Sequence, residues 1–393
     1  MHRRTLLQAL SAMPLAAASG QLWSAPASGN RLLVVFLRGA YDAANLLVPV
    51  SSSFYYESRP RIAIPKPGTD PLAALPLDSN WGLHPALQQS MLPLFQKGQL
   101  AFVPFAGTDD TSRSHFETQD TIELGQALGA RRDYRSGFLN RLVEVLGGSA
   151  LSFTDQLPIV LQGRITVPNT SLRSAGKTPL DQQRSDAIAA MYRGTALAAP
   201  VNEGFSVRAD VQRDMNAEMD KASRGAIAGK GFEREAPRIA RLMKEKYNIG
   251  FVDIGGWDTH VNQGAGSGYL ADRLGELGRG LASFSDEMGG EWNKTVVVVI
   301  SEFGRTFREN GNRGTDHGHG STYWVLGGAV KGGKIAGEQQ IMSDRNLFEN
   351  RDLPVLNEYR AMLGGLLARM YGLNANQIDH VFAGVKGRDI GLV

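Results

Sequence analysis

Two patterns of apolar positions alternate along this chain: short continuous runs and longer runs with helical spacing. The runs at residues 31–37, 100–105, 249–254, 296–300 and 322–326 are continuous and rich in β-forming residues, which predicts buried strands. Residues 270–288 carry an apolar side chain every three or four positions, which predicts an amphipathic helix. Further helices are predicted at residues 84–97, 111–124, 134–146 and 356–370. Strands that alternate with helices predict an α/β fold, with a mostly parallel sheet between helices on both faces.

A polar segment at about residues 165–247 departs from this alternation. It predicts helices at residues 182–192, 206–222 and 234–247 without strands between them. These helices are either a helical insert over the sheet or ordinary peripheral helices, and the pattern does not choose between the two. The length of the chain permits one large domain or two, and residues 28–393 are predicted to form a single domain that includes this insert.

The N-terminus has the layout of an export signal. Arg3 and Arg4 precede an apolar run at residues 6–18, and the small-residue site Ala25-Pro26-Ala27 follows. This layout predicts a signal peptide of the twin-arginine type at residues 1–27, and therefore a periplasmic or otherwise exported protein. The alternative is an amphipathic first helix. No later run approaches about 18 uninterrupted apolar residues, so we expect no stable membrane anchor after cleavage.

Composition narrows the chemistry that this chain can support. With no cysteine among its 393 residues, the chain has no disulfides, thiolate metal ligands or thiol nucleophiles. The net charge is only +3 and the basic residues are scattered, so a nucleic-acid partner is not expected. Any metal ion would have to be held by oxygen and imidazole nitrogen.

The ends of the predicted strands carry the polar residues that stand out as candidate ligands. Because the carboxyl ends of parallel strands lie along one edge of a sheet, we expect these groups to converge there. In both Asp258-Thr-His260 and His317-Gly-His319 the spacing is i, i+2, which on extended backbone points both side chains the same way. A solvated loop histidine is the ordinary alternative for either pair. The candidate metal ligands are Asp42, Asp258, His260, Glu302, Asp316, His317 and His319.

Carboxylates and imidazoles together predict a divalent metal ion. Zinc or manganese suits this ligand set best, and magnesium and calcium are compatible with it. Ser114 is the candidate nucleophile, because it stands where a strand turns into a helix and a nearby cation would lower the pKa of its hydroxyl. A plain N-cap is an equally good explanation of Ser112 or Ser114. Arg113 and Arg305 are candidates for holding an anionic oxygen, although isolated arginines are more often structural.

Five motifs in order resemble family 1501 of the domains of unknown function, over nearly the whole chain after the signal peptide. That family looks related to the alkaline phosphatase and sulfatase superfamily, and its activity is not established. The resemblance implies a three-layer α/β/α fold like that of alkaline phosphatase. The motifs are Phe36-Leu-Arg-Gly-Ala-Tyr-Asp42, Arg113-Ser-His-Phe-Glu117 with Gln119-Asp120, Gly256-Trp-Asp-Thr-His260, Ser301-Glu-Phe-Gly-Arg-Thr306 and Asp316-His-Gly-His-Gly320.

The resemblance also implies roles for single residues. The superfamily's first-strand acidic ligand corresponds to Asp42 and its nucleophile to Ser114. Its Asp-and-His pair for one metal corresponds to Asp258 and His260, and its final metal histidine to His317 or His319. Its later strand-end Asp-His pair corresponds to Glu302-Phe303, where Phe303 departs from the expected imidazole. The Cys/Ser-x-Pro-x-Arg pattern of formylglycine sulfatases is absent around residues 111–115.

These features predict an exported metal-dependent hydrolase that acts on a small anionic substrate, a phosphate or sulfate ester. The alternative is a non-catalytic, metal-containing binding or assembly protein on the same fold, which the departure at Phe303 favours. A sugar or lipid-headgroup transferase is compatible with the motifs but has no support of its own. The sequence identifies neither the substrate nor a protein partner.

Overall fold

The computed structural model describes residues 29–170, 182–198, 201 and 231–393. The predicted signal peptide and the predicted helix at residues 206–222 lie outside these residues. Within them, no helix is long and apolar enough to cross a membrane.

The main sheet has eight strands: β1 (Arg31–Leu37), β5 (Leu100–Gly107), β6 (Ala150–Ser152), β7 (Ile249–Ile254), β8 (Thr295–Ser301), β9 (Ser321–Leu326), β10 (Lys334–Ile335) and β11 (Asn357–Glu358). Their order is β10-β5-β9-β8-β1-β7-β6, with β11 pairing with β5 beside β10. All neighbouring strands are parallel except β9, which runs antiparallel to both β5 and β8. A small antiparallel sheet joins β2 (Leu47–Val48), β3 (Leu75–Pro76) and β4 (Gly82–Leu83).

Helices cover both faces of the main sheet. Alternate residues of β1 face opposite cores: Leu33 and Val35 pack with the helices at 232–245 and 269–288, whereas Leu32 and Val34 pack with those at 138–146, 359–371 and 375–381. This arrangement confirms the three-layer α/β/α prediction. The α-helices are α1 (Ala43–Leu46), α2 (Ser53–Ser58), α3 (Met91–Gln96), α4 (His115–Leu124), α5 (Phe138–Leu146), α6 (Gln182–Tyr192), α7 (Phe232–Glu245), α8 (Tyr269–Met288), α9 (Tyr359–Tyr371) and α10 (Ala375–Val381).

The structure differs from the sequence prediction at several elements. The helix predicted at residues 84–97 is two pieces, a 3-10 turn at Pro85–Leu87 and α3. Strand β6 was not predicted, because its three residues are too short to show a pattern. The register of β5 against β9 shifts between Val103 and Ala106, where Pro104 has no N–H to donate to the neighbouring strand.

The sheet brings several chain segments to one edge. Leu37 at the end of β1 is in register with Ile254 at the end of β7 and with Ser301 at the end of β8. The loops that follow these three strands therefore start side by side. Strand β9 begins at the same edge, because it runs antiparallel to β8, and its Ser321 pairs with Ala106 near the end of β5.

A cluster of histidines and carboxylates at the sheet edge

His115, Asp258 and His317 place one ligand atom each within 4.8 Å of one another. His260 lies beside Asp258 and His317. The Nε2 atom of His317 lies 2.9 Å from Nε2 of His115 and 3.2 Å from Nε2 of His260. Oδ1 of Asp258 lies 2.9 Å from Nε2 of His260 and 3.3 Å from Nε2 of His317. We call these four residues the histidine cluster. All four side chains are part-exposed, so the cluster is open to solvent.

Each histidine of the cluster turns its other ring nitrogen outward to an acceptor. Nδ1 of His115 lies 2.7 Å from Oε1 of Glu302, and Nδ1 of His317 lies 3.0 Å from the carbonyl oxygen of Arg113. Nδ1 of His260 lies 3.1 Å from Oδ1 of Asp316. Carbonyl and ionised carboxylate oxygens only accept hydrogen bonds, so a neutral ring of His115 or His317 has its proton on Nδ1. The Nε2 lone pairs of these two rings then face each other beside the Asp258 carboxylate, and Nε2 of His260 faces the same carboxylate and His317.

Such an arrangement of acceptors requires a cation among them. Two lone pairs 2.9 Å apart repel unless a proton or a metal ion lies between them. Tetrahedral coordination at about 2.1 Å places ligand atoms roughly 3.4 Å apart. His317 lies 2.9 Å from His115, 3.2 Å from His260 and 3.3 Å from Asp258 by these atoms, which is close to that spacing. Outward hydrogen bonds from metal-binding histidines to carboxylates and carbonyls are also typical of metal sites. The residues therefore fit a divalent metal ion.

Glu302 lies behind the cluster and supports His115. The side chain is fully buried, and Oε1 accepts from the Gly39 N–H at 2.8 Å and from Gln119 at 2.9 Å as well as from His115. Burial alone would raise the pKa of Glu302, but these hydrogen bonds outweigh it and hold the pKa below its usual value. In turn, the hydrogen bond to Glu302 raises the pKa of His115. Glu302 thus orients a histidine and makes no contact of its own with the centre of the cluster.

Gly39 explains how the loop after β1 comes so close to these groups. Its φ of +116° is one that residues with a Cβ rarely adopt, and a Cβ there would lie 2.9 Å from the Asp258 backbone nitrogen. The tight approach lets the Gly39 N–H reach Glu302 and brings the loops after β1, β7 and β8 together.

Asp258 is held from the other side by Arg305. Nη1 of Arg305 donates to Oδ1 of Asp258 at 2.5 Å, and the guanidinium also donates to Thr315. Burial alone would raise the pKa of Asp258, but the hydrogen bond and charge of Arg305 outweigh it and lower this pKa. The Arg305 side chain has no exposed surface, so its predicted role of holding a substrate oxygen has no support from its position.

Two of the predicted ligands lie apart from the cluster. Asp42 is 1% exposed, and its Oδ2 accepts from Arg59 and from Gln263, both at 2.5 Å. His319 is 5% exposed and packs on Phe348, with ring centroids 4.6 Å apart. We expected His317 and His319 to point the same way on extended backbone. The backbone bends at His319, so the condition for that expectation is not met. For Asp258 and His260, the same spacing does bring the side chains together.

His115 is the cluster residue that the sequence analysis did not select. Its ring stacks on Phe303, with centroids 4.9 Å apart, so the phenylalanine at the departing position buttresses an imidazole that comes from another segment. The signal was present in the sequence, since His115 lies in the Arg113-Ser-His motif and directly follows Ser114.

Ser114 is the N-cap of α4, next to His115 in the chain. Its side chain makes no capping hydrogen bond, so the hydroxyl is not committed to the helix. The N-terminus of α4 also contributes positive potential beside the cluster. A cavity of about 460 Å³ with polar and apolar lining lies along the same loop, and residues of the histidine cluster are not part of its wall. Its wall includes Asp109, Asp110, Ser112, Glu117, Thr121 and Arg132.

A family model described as a protein of unknown function, DUF1501, matches residues 29–382 of the chain. No curated protein matches the chain. Among solved structures, a protein in the alkaline phosphatase superfamily from Vibrio parahaemolyticus is similar at a TM-score of 0.40 and 11% identity, over 92% of this chain and 69% of that chain. The lipoteichoic acid synthase LtaP from Listeria monocytogenes is similar at 0.37 and 9% identity, over 94% and 78%. Likenesses at this level carry no information about activity.

Proposed function

This chain belongs to the DUF1501 family of proteins of unknown function, and we propose that it is an exported, metal-dependent hydrolase of phosphate or sulfate esters. The proposal assigns the metal to the histidine cluster, His115, Asp258, His260 and His317. The observation that carries it is the direction of the ring nitrogens: three imidazoles turn Nδ1 outward to acceptor oxygens of Glu302, Arg113 and Asp316, and they turn Nε2 inward toward one another and Asp258.

The ligand set favours zinc or manganese over magnesium and calcium. Imidazole nitrogens suit zinc and other transition metals, whereas magnesium and calcium prefer carboxylate, carbonyl and water oxygens. The cluster offers three imidazole nitrogens and one carboxylate. When bound, the ion would supply a Lewis acid that lowers the pKa of a hydroxyl and offsets negative charge on the ester.

Residues of the chain would orient the metal ligands, supply a nucleophile and bind the substrate. Arg305 fixes the orientation of Asp258 by its hydrogen bond, and Glu302 fixes that of His115. Ser114 supplies a hydroxyl beside His115 that is free to act as the nucleophile, with water as the alternative. Helix α4 begins at His115, and the positive potential of its N-terminus favours an anionic substrate beside the cluster.

Two observations favour the second candidate, a non-catalytic metal-containing binding or assembly protein. Arg305 is fully enclosed and engaged by Asp258 and Thr315, so it does not offer a guanidinium to a substrate. Phe303 occupies the position where the superfamily resemblance implies a further ligand, and it is buried. A protein that keeps one metal for its structure would have the same cluster.

Activity measurements on the metal-loaded protein separate the two candidates. The purified chain is loaded separately with zinc, manganese and magnesium and assayed with an aryl phosphate, an aryl phosphodiester and an aryl sulfate. If the chain is a hydrolase, we expect turnover of at least one ester with zinc or manganese. Loss of turnover in Ser114→Ala with unchanged metal content would assign the nucleophile to Ser114, and retained turnover would assign it to water. Stoichiometric metal without any turnover would favour the binding protein, and absence of metal would remove the basis of both.

Export is a separate part of the proposal and rests on the sequence of residues 1–27 alone. We expect the protein in the periplasmic fraction, and we expect Arg3→Lys combined with Arg4→Lys to retain the precursor in the cytoplasm. Fractionation of cells that express the full chain measures this. Equal export of the wild type and the double variant would exclude the twin-arginine route.

A further inference from the structure

We propose that Arg113 is a positioning residue for His317: its backbone carbonyl decides which ring nitrogen of His317 faces the histidine cluster. This inference rests on the proposed function, because it concerns how the metal ligand His317 is prepared. The sequence made Arg113 a candidate for holding an anionic oxygen instead. The contacts of its side chain and of its backbone point away from that role.

The backbone of Arg113 has a left-handed conformation, with φ of +53°. Residues with a Cβ rarely adopt this conformation, and they keep it only where surrounding contacts hold it. Here it directs the Arg113 carbonyl oxygen to within 3.0 Å of Nδ1 of His317. Because that oxygen can only accept, it keeps the proton on Nδ1 and leaves Nε2 as a lone pair within the cluster.

The side chain of Arg113 provides the contacts that hold this conformation. Nε donates to Oδ2 of Asp352 at 2.9 Å, and Nη2 contacts Asp352 at 2.8 Å and Glu349 at 2.5 Å. Asp352 has no exposed surface, so the ion pair is fixed at its far end. The guanidinium is therefore engaged by two carboxylates, which leaves it poorly placed to bind a substrate anion.

The segment that holds Arg113 also holds His317. Nη2 of Arg351 donates to the carbonyl oxygen of His317 at 2.8 Å, and Nη1 of Arg351 contacts the same Asp352. Both partners of the Arg113–His317 hydrogen bond are thus tied to residues 349–352. If the Arg113 carbonyl turned away, the proton of His317 would be free to move to Nε2. An Nε2–H would point into the cluster and exclude a cation.

Two substitutions at this position separate the role of the backbone from that of the side chain. Arg113→Ala removes the ion pair and leaves a residue that resists a positive φ, so the carbonyl should turn away. Arg113→Gly removes the same ion pair, but glycine adopts a positive φ without strain. The two variants lose the same charge and differ in what backbone conformation they favour.

The tautomer of His317 in the metal-free protein is the direct readout, measured from the 15N shifts of its ring nitrogens. We expect Nδ1–H in the wild type and in Arg113→Gly, and a substantial Nε2–H population in Arg113→Ala. Zinc affinity, measured by competition with a chelator, should fall roughly 10- to 100-fold in Arg113→Ala, as for other residues that orient metal ligands. Arg113→Gly should recover most of that loss.

Wild-type tautomer and zinc affinity in Arg113→Ala would overturn the inference, and so would a glycine variant as impaired as the alanine variant. If Arg113→Ala does not fold, Arg113→Gly alone decides: a zinc affinity more than about 10-fold below the wild type would count against the backbone role. The tautomer measurement needs no metal. If the wild type binds no zinc, the proposed function fails, while the ring shifts still settle the role of Arg113.

Discussion

The Nε2 atoms of His115 and His317 lie 2.9 Å apart, although 202 positions separate the two residues in the chain. Glu302 and the Arg113 carbonyl hold the opposite nitrogen of each ring as a donor. When both rings are neutral, the two inward nitrogens are therefore both acceptors, and their contact is stable only with a proton or a metal ion between them. The proposed metal site rests on this relationship.

Asp42 should matter for stability and not for metal binding. Its carboxylate pairs with the fully buried Arg59, and removing one partner of such a pair leaves the other charge buried without compensation. We expect Asp42→Asn to lower the free energy of unfolding by about 3 kcal/mol. Chemical denaturation in the presence of a chelator measures this without a contribution from bound metal, and elemental analysis gives the metal content.

Asp389→Asn is a matched control for that prediction, because Asp389 pairs with Arg369 at the surface. Such exposed pairs contribute about 1 kcal/mol or less. The account predicts a large loss of stability in Asp42→Asn with zinc content kept, and a small loss in the control. Zinc content that disappears in Asp42→Asn while the fold survives would instead make Asp42 a ligand, as the resemblance implied.

Glu302→Gln tests whether this residue orients a ligand or is one. Glutamine keeps an oxygen for the Gly39 N–H and for His115 Nδ1–H but loses the negative charge. We expect zinc affinity to fall about 10-fold, which is the lower end of the loss for residues behind metal ligands. His115→Ala, which removes the ligand itself, should bind far more weakly. Equal losses in the two variants, measured by chelator competition, would contradict the orienting role.

His84 should make folding sensitive to mild acid. It is fully buried, its Nδ1 accepts from the Ala86 N–H, and its Nε2–H donates to the Ala265 carbonyl. Burial lowers the pKa of His84 to about 4. The unfolded chain binds this proton near pH 6.5, so between these values protonation favours unfolding. The stabilisation is complete above about pH 6.5 and is lost as the pH falls toward 4.

His84→Gln removes this titration while offering an oxygen and an N–H for the same two partners. Between pH 7.5 and pH 5, the wild type should lose about 2 kcal/mol more unfolding free energy than the variant. Both proteins contain the histidine cluster. Its contribution to the pH dependence therefore cancels when the unfolding free energy of one protein is subtracted from that of the other. Identical pH dependence of the unfolding free energy in both proteins would show that His84 is not the group responsible.

The fold followed from the sequence wherever the apolar pattern was long. Strands β1, β5, β7, β8 and β9 and helix α8 were predicted, because their periodicity reflects burial against the sheet and the helices. The break between Pro85–Leu87 and Met91–Gln96 was not, since a single run of apolar positions spans both pieces. That β9 is antiparallel to its neighbours also has no local signal, because strand direction depends on pairing partners.

The sequence predicted which loops form the candidate site, but it did not predict every ligand in those loops. Register along the sheet edge explains why Asp258, His260 and His317 meet, which the strand-end argument anticipated. His317 and His319 could not be told apart from the sequence, because the i, i+2 spacing does not show that the backbone bends at His319. Glu302 was predicted to be a metal ligand like the other acidic residues, because its burial behind His115 is visible only in three dimensions.

Metal content of three proteins tests the central claim most directly: the wild type, His317→Ala and His319→Ala, each incubated with zinc and freed of loosely bound ions. The two variants remove the same side chain two positions apart, and only His317 belongs to the histidine cluster. The account predicts about one zinc per chain in the wild type and in His319→Ala, and less than about 0.2 in His317→Ala. A wild type without zinc, or a His317→Ala variant that keeps it, would contradict the account.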